Sequence, residues 1–340
     1  MARITIGKTG IGVEQNGFGA LPIQRIPSHD AVTLLHKAYH GGIDFYDSAR
    51  GYTDSEEKLG KAFRGRWDKI VIATKTPAKK AKQFWEDLET SLDLLKTDHI
   101  DIYQVHNPSF CPKPGDSSGL YDAMVQAKKQ GKIRFIGITN HRLNIAGEAI
   151  ESGLYDTLQF PLSYLSDEKD LALVAACKEK GMGFIAMKAL AGGLITNSAA
   201  ACAWMVRFDN VIPIWGIQRE QELDEFISYI TNPPVLTEAM MSGIEGDRKG
   251  LQGNFCRGCG YCMPCPKGIT INMCARASLL LRRAPLEMLM SVQGKEMMKK
   301  VEDCIHCGQC SAKCPYGLDP PSLLQKNYQN YREFLAGKPL

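Results

Sequence analysis

The stretch IVIATKTPAKKAKQFWEDLETSLDLLKTDHIDIYQVH, residues 70–106, sets the fold. Two short β-prone apolar runs, Ile70–Thr74 and Ile100–Val105, flank one amphipathic stretch of helical period near residues 80–96. Strand, helix, strand in that order is a βαβ unit, whose two strands lie parallel. Working outward, the same alternation recurs. Further strands read at Gly17–Leu21, Ile43–Tyr46, Phe135–Ile138, Thr157–Phe160, Gly183–Met187 and Val211–Trp215. Helical patterns read near residues 29–40, 55–64, 119–130, 143–152, 167–180, 198–208 and 220–230. Eight such units close a barrel, so the expected class is α/β with a (β/α)8 barrel. A hairpin of Arg3–Ile6 and Ile11–Glu14 about the turn Lys8-Thr9-Gly10 is expected to plug its bottom. The polar, glycine-rich run Ser242–Gly253 reads as a linker, which divides the chain into a barrel over 1–245 and a second domain over 246–340.

The bulk properties narrow the class. Of the 340 residues, 44% are hydrophobic and 23% charged, average values for a folded globular chain. The N-terminus has no apolar run of signal-peptide length, and no later stretch approaches the roughly 20 apolar residues of a membrane span, so a cytoplasmic protein is expected. Residues 251–340 carry 12 Lys and Arg against 6 Asp and Glu, whereas residues 1–250 carry 29 against 31. The basic residues of the tail are scattered, without the aromatic interleaving of a nucleic-acid surface. Compensation for anionic thiolate clusters, with docking to an acidic partner, accounts for them.

In a barrel of this kind, chemistry gathers at the C-terminal ends of the strands. Asp47 follows the second strand, Lys75 ends the third and His106 ends the fourth; Tyr52 lies in the loop after the second. An acid, an ammonium, an imidazole and a phenol on one rim can move a proton to or from a carbonyl oxygen. A free phenol ionises near pH ~10, and a neighbouring ammonium favours the phenolate. Lys75 supplies that charge, and Asp47 holds Lys75. Any one of these residues alone reads as readily as a structural ion pair or a satisfied histidine; the four in order at matching strand ends do not.

The segment from Gly42 to Gly60, with Asp47, Tyr52, Ser55 and Glu56 in it, closely resembles the aldo-keto reductase pattern. The likeness continues through Ala73-Thr74-Lys75, the His106-Asn107-Pro108 turn, the run from Gly131 to Thr139-Asn140, and Gln159, covering residues 1 to about 235. It implies Asp47, Tyr52, Lys75 and His106 as a catalytic tetrad with Tyr52 as general acid/base, and hydride transfer between a nicotinamide and a small carbonyl or alcohol substrate. Thr139, Asn140 and Gln159 are then expected to bind the carboxamide. Where family members stack an aromatic on the nicotinamide, this chain carries Met187 and Lys188. Arg219 is the candidate for a ribose 2′-phosphate, which favours NADPH, with NADH as the alternative.

Twelve cysteines are many for a reducing compartment, and nine of them fall between Cys256 and Cys314. Cys304-x2-Cys307-x2-Cys310-x3-Cys314-Pro315 is the bacterial ferredoxin run. Cys256-x2-Cys259-x2-Cys262-x2-Cys265-Pro266 is one residue shorter before its last cysteine. In the two-cluster arrangement each run gives three ligands to one 4Fe-4S cluster and its fourth to the other. Cys256, Cys259 and Cys262 therefore pair with Cys314, and Cys304, Cys307 and Cys310 with Cys265. The helical readings at Ala275–Arg283 and Leu286–Lys300 resemble an α-helical ferredoxin. A zinc site of four thiolates is the plainer alternative for two C-x2-C pairs. Cys274 is a spare thiol, or a replacement for Cys265. The clusters are structural, or they connect the barrel to an external ferredoxin or flavoprotein. A redox-sensing protein whose barrel binds nucleotide with little turnover is the alternative to an enzyme.

Overall fold

The structure, a computed structural model, describes residues 1–250, 255–283 and 287–338. The chain packs into two compact units, one of Met1–Ala189 with Ala199–Thr237 and the other of Leu190–Ser198 with Glu238–Leu340.

The first unit is the expected barrel. An antiparallel hairpin pairs β1 (Arg3–Thr5) with β2 (Gly12–Glu14), Ile4 opposite Val13. Eight parallel strands then close on themselves: β3 (Gly17–Gly19), β4 (Phe45–Asp47), β5 (Val71–Thr76), β6 (Ile100–His106), β7 (Ile133–Thr139), β8 (Thr157–Pro161), β9 (Gly183–Met187) and β10 (Val211–Gly216), with β10 pairing β3. The helices between them are α1 (Ser28–His40), α2 (Ser55–Phe63), α3 (Ala81–Leu95), α4 (Leu120–Lys129), α5 (Leu143–Ser152), α6 (Glu168–Lys180) and α7 (Ser198–Met205), and α8 (Glu220–Thr231) follows the last strand. Local sequence sets their ends. Asp167 accepts from the backbone N–H of Lys169 and Asp170 at the start of α6, and Gly181 closes it in the left-handed region.

Strand alternation sorts the barrel interior into layers, because side chains two apart point the same way. Phe45, Ala73, Ile102, Ile185 and Ile212 form one apolar cluster with Ile4, Ile6, Ile11 and Val13 of the hairpin segment, which thus seals one end. Burying each of the larger side chains, the Ile, Val and Phe, contributes about 1.5–3 kcal/mol. Two residues further along the same strands stand Asp47, Lys75 and Gln104. Gly137 has no side chain because a Cβ there would sit 2.7 Å from Gln104 Cγ and 2.5 Å from Thr157 Oγ1. The bareness of β7 at this level makes room for the polar layer above.

The second unit is helical: α9 (Glu238–Gly250), α10 (Ile271–Cys274), α11 (Ala277–Arg283), α12 (Glu287–Met290), α13 (Val292–Lys299), α14 (Gln309–Lys313) and α15 (Pro320–Leu335). Its core holds Ile271, Leu280, Leu289, Met298, Val301 and Leu324. Asn327 ties α15 to α11, donating to Ala275 O at 2.9 Å and accepting from Ser278 N at 2.9 Å. The expected linker is corrected here: residues 242–250 are the body of α9, and 251–253 lie outside the described residues. Glu238 in its first turn, Arg248 and Lys249 in its last, and buried Ile244 favour the helix despite its glycines. The expected helix at 286–300 is split into α12 and α13, and Leu286 lies outside the described residues. Among the described residues no helix is long and apolar enough to cross a membrane.

Candidate active site and metal centres

The polar layer of the barrel is one connected network. Lys75 Nζ donates to Asp47 Oδ1 at 2.6 Å and to Ser48 O, with the lysine side chain wholly buried. Asp47 Oδ1 also accepts from Gln159 Nε2 at 3.3 Å, and Gln104 Nε2 donates to Gln159 Oε1 at 2.8 Å. Thr139 Oγ1 donates to Gln104 Oε1 at 2.9 Å. Register explains the set: Lys75 lies beside Gln104, and Thr139 lies between His106 and Gln159. Tyr52 sits in the turn before α2, its N–H donating to Ala49 O at 2.9 Å and its carbonyl accepting from Ser55 N at 2.8 Å. Its ring meets His106 edge-on at 5.9 Å, and Lys75 Nζ lies 5.3 Å from its centroid. The four residues expected on one rim, three at strand ends and Tyr52 in a loop, therefore converge.

Burial governs the electrostatics. It pushes the Lys75 ammonium down from its ordinary value and the Asp47 carboxyl up, and each partner's charge pulls the other back. The His106 imidazole is pushed down to about 3 by burial first and then by the Lys75 charge. His106 is thus neutral across the physiological range, a hydrogen-bonding group rather than a cation. Behind Lys75 lies a second pair. Glu56, 1% exposed, bonds Arg50 Nη1 and accepts from Thr74 Oγ1 at 2.7 Å and Ser91 Oγ at 2.8 Å. Its charge helps keep Lys75 protonated.

The remaining expected residues divide. Asn140, fully buried, donates from Nδ2 to Pro108 O at 2.9 Å and accepts at Oδ1 from the N–H of His141 and Arg142, so it also shapes its own turn. Met187 ends β9 and packs on the sealed apolar layer, and Lys188 follows with φ +59°. Arg219 stands apart from the network, exposed at the start of α8, where its Nε donates to Glu222 Oε1 at 2.8 Å. Sequence reasoning missed Gln104 and gave Glu56 no role. Gln104 was findable: in Ile100-Asp-Ile-Tyr-Gln-Val-His106 it shares the alternating face of Ile102 and His106, a polar residue where the barrel interior calls for an apolar one.

In the second unit, Cys262, Cys265, Cys304, Cys307 and Cys310 line one pocket. Cys256 interacts electrostatically with Cys259 and Cys314, and its Sγ accepts from Gly258 N at 3.4 Å. Burial pushes the Cys262 thiol up to about 12, and neighbouring Cys256 and Cys259 add to it. Among the described residues, no group of three or more His, Cys, Asp or Glu side chains converges on a point to hold a metal ion. Five of the thiols instead rim that one pocket, a sulfur-rich donor set suited to soft, thiolate-bound iron. Cys274 belongs to neither group: it is fully buried in the helical core, its S–H aimed at Met297 O at 3.6 Å.

Comparison with known proteins bears on both units. Residues 8–201 match the aldo/keto reductase family, and residues 255–319 match the 4Fe-4S dicluster domain. An L-galactose dehydrogenase of Arabidopsis thaliana is 34% identical over 212 residues, which cover 56% of this chain and 66% of that protein. The aldo-keto reductase YhdN of Bacillus subtilis is 27% identical over 216 residues, covering 58% and 64%. The match thus spans slightly less than two thirds of these relatives. An aldo-keto reductase of Klebsiella pneumoniae solved in complex with NADPH shares the fold at a TM-score of 0.62, with 20% identity over 72% of this chain and 95% of that one. With more than half its length matching that family and its eight strands closed as a parallel barrel, the chain belongs to the aldo/keto reductase family, and it carries a 4Fe-4S dicluster domain after the barrel.

Proposed function

We propose that the chain is an NAD(P)H-dependent oxidoreductase that interconverts a small carbonyl compound and its alcohol. The observation that carries the reading is the convergence of Tyr52, His106 and the buried Lys75–Asp47 pair at the strand ends. When bound, the reduced nicotinamide supplies hydride. The chain's own groups then have separate tasks. Tyr52 gives its phenolic proton to the developing alkoxide, the Lys75 charge stabilises the phenolate left behind, and Asp47 fixes Lys75. Neutral His106 donates a hydrogen bond that orients the substrate oxygen.

The residues present fit a nicotinamide. Asn140 and Gln159 are primary amides, each with a second N–H beyond the one bonded to Pro108 O or Asp47 Oδ1, and Thr139 has lone pairs to accept with. Such groups match a carboxamide. NADPH is preferred over NADH through Arg219, which must exchange Glu222 for a phosphate. The thiols likewise fit two 4Fe-4S clusters, one on Cys256, Cys259, Cys262 and Cys314 and one on Cys304, Cys307, Cys310 and Cys265. Such clusters store electrons singly, for an external ferredoxin or flavoprotein, or they act as a folding scaffold. Unpaired cysteines throughout suit a reducing compartment, and we propose the cytoplasm.

The test is an anaerobic screen of carbonyl compounds with NADPH and NADH, followed by nicotinamide absorbance, with the Tyr52→Phe variant alongside. Turnover should fall by about two to four orders of magnitude in the variant while nicotinamide binding persists. Equal turnover in the two proteins removes Tyr52 from its role.

A further inference from the structure

Arg276 is a buried cation with no counter-carboxylate among the described residues. It is 9% exposed, and its Nε has no hydrogen-bond partner among them. Nη1 donates to Gly192 O at 3.2 Å, and Nη2 lies 4.0 Å from Met273 Sδ, a weak contact. A buried guanidinium keeps its proton, and left uncompensated it is strongly unfavourable.

Two glycines make its berth. A Cβ at Gly258 would stand 2.7 Å from Arg276 Cζ, and one at Gly192 would stand 3.1 Å from Nη1; both glycines have φ +67°. Gly258 lies inside the Cys256-x2-Cys259 turn. The charge acts on Cys256 and Cys259 there. What would compensate this cation is the negative charge of those sulfurs once they bind iron as thiolates.

We propose that Arg276 is the charge partner of the cluster held by Cys256, Cys259, Cys262 and Cys314, raising its reduction potential over that of the uncompensated cluster and, through Gly192, anchoring the Leu190–Ser198 segment to it. The inference rests on the cluster reading above. Reduction by one electron makes a four-thiolate 4Fe-4S cluster more negative by one charge, with no proton required, so a fixed cation favours the reduced form. Loss of the cation lowers the reduced fraction at any set potential. The other cluster, on Cys265, Cys304, Cys307 and Cys310, sits by a pocket that Lys267 lines and Arg276 does not, and it serves as the internal control. Gly192 follows β9 in the chain, so the same side chain also holds the segment that continues from Met187 and Lys188.

The experiment is an anaerobic potentiometric titration of the full holoprotein with dithionite as electron donor, read by electron paramagnetic resonance, together with amide hydrogen exchange over 190–198. The proteins are the parent, Arg276→Gln and Arg276→Lys. In Arg276→Gln one of the two one-electron steps should move to a reduced-to-oxidised ratio at least tenfold lower, which is 59 mV, while the other stays. Arg276→Lys keeps the charge but not the fork, so its potential should remain near the parent's while exchange over 190–198 quickens as it does in Arg276→Gln. Iron lost from Arg276→Gln but kept in Arg276→Lys also supports the charge role. Steps that do not move, steps that move together, or iron lost from both variants overturn it. Iron and sulfide analysis of the parent separates these failures from failure of the cluster reading itself.

Discussion

Lys75→Met replaces a buried ammonium by an apolar chain of similar length, and its cost follows from what it leaves behind. Asp47, 2% exposed, loses its 2.6 Å partner and keeps only Gln159 Nε2 at 3.3 Å and Gln104 Nε2 at 3.5 Å. Removing one side of a buried ion pair costs about 3–5 kcal/mol, because the other charge stays desolvated. With a urea m-value of about 3 kcal/mol/M, the unfolding midpoint should fall by about 1 M or more. Burial already raises the Asp47 pKa, and losing Lys75 removes the largest opposing influence. The folded variant therefore binds a proton that the unfolded chain releases above its own pKa of about 3.9. Its deficit should grow as pH rises from about 4 and shrink below it. Asp47→Asn with Lys75→Met should recover much of the loss, since no charge is then buried. All four tryptophans, Trp67, Trp85, Trp204 and Trp215, lie in the barrel unit, so their fluorescence follows that unit's unfolding. A single variant within about 1 kcal/mol of the parent, a deficit flat with pH, or a double variant no better than the single would refute the account.

Anaerobically purified protein should contain about eight iron and eight sulfide per chain by chemical analysis; zinc without sulfide would refute the cluster reading. Because the folded His106 pKa is about 3 against about 6.5 unfolded, stability should drop as pH falls from about 6.5 toward 3. Partial exposure of the residue limits the effect to about 2 kcal/mol. His106→Asn should flatten that slope in urea midpoints measured at several pH values, and an unchanged slope assigns it to other groups. Truncation after Thr237 should leave a folded barrel whose Leu190–Ser198 segment, deprived of the unit it packs with, is cut faster by protease. Cleavage there at the parent's rate would contradict this.

The barrel was legible because its signals are local. A strand run or an amphipathic helix announces itself within about ten residues, and β9 and α5 fall where the pattern puts them. The nearness of Asp47, Lys75 and His106 was legible for the same reason: each stands at a strand end that the pattern locates, with Tyr52 in the loop just after one of them, and in a barrel strand ends share one rim. The cysteine runs were legible because ligand spacing is itself local. Three things waited on tertiary structure. Gln104 links Asp47, Thr139 and Gln159 only once the four strands that carry them are in register, which no window of sequence contains. The helix at Glu238–Gly250 overrides its three glycines through end charges and the burial of Ile244, where weak local propensity pointed to a linker. Arg276 read as one of several scattered basic residues, because whether a cation is solvated or buried without a counter-ion depends on groups distant in the chain, here Gly192 and Gly258. Sequence determined the elements and the polar side chains placed at their ends; burial and charge environment, which depend on distant neighbours, were decided by the fold.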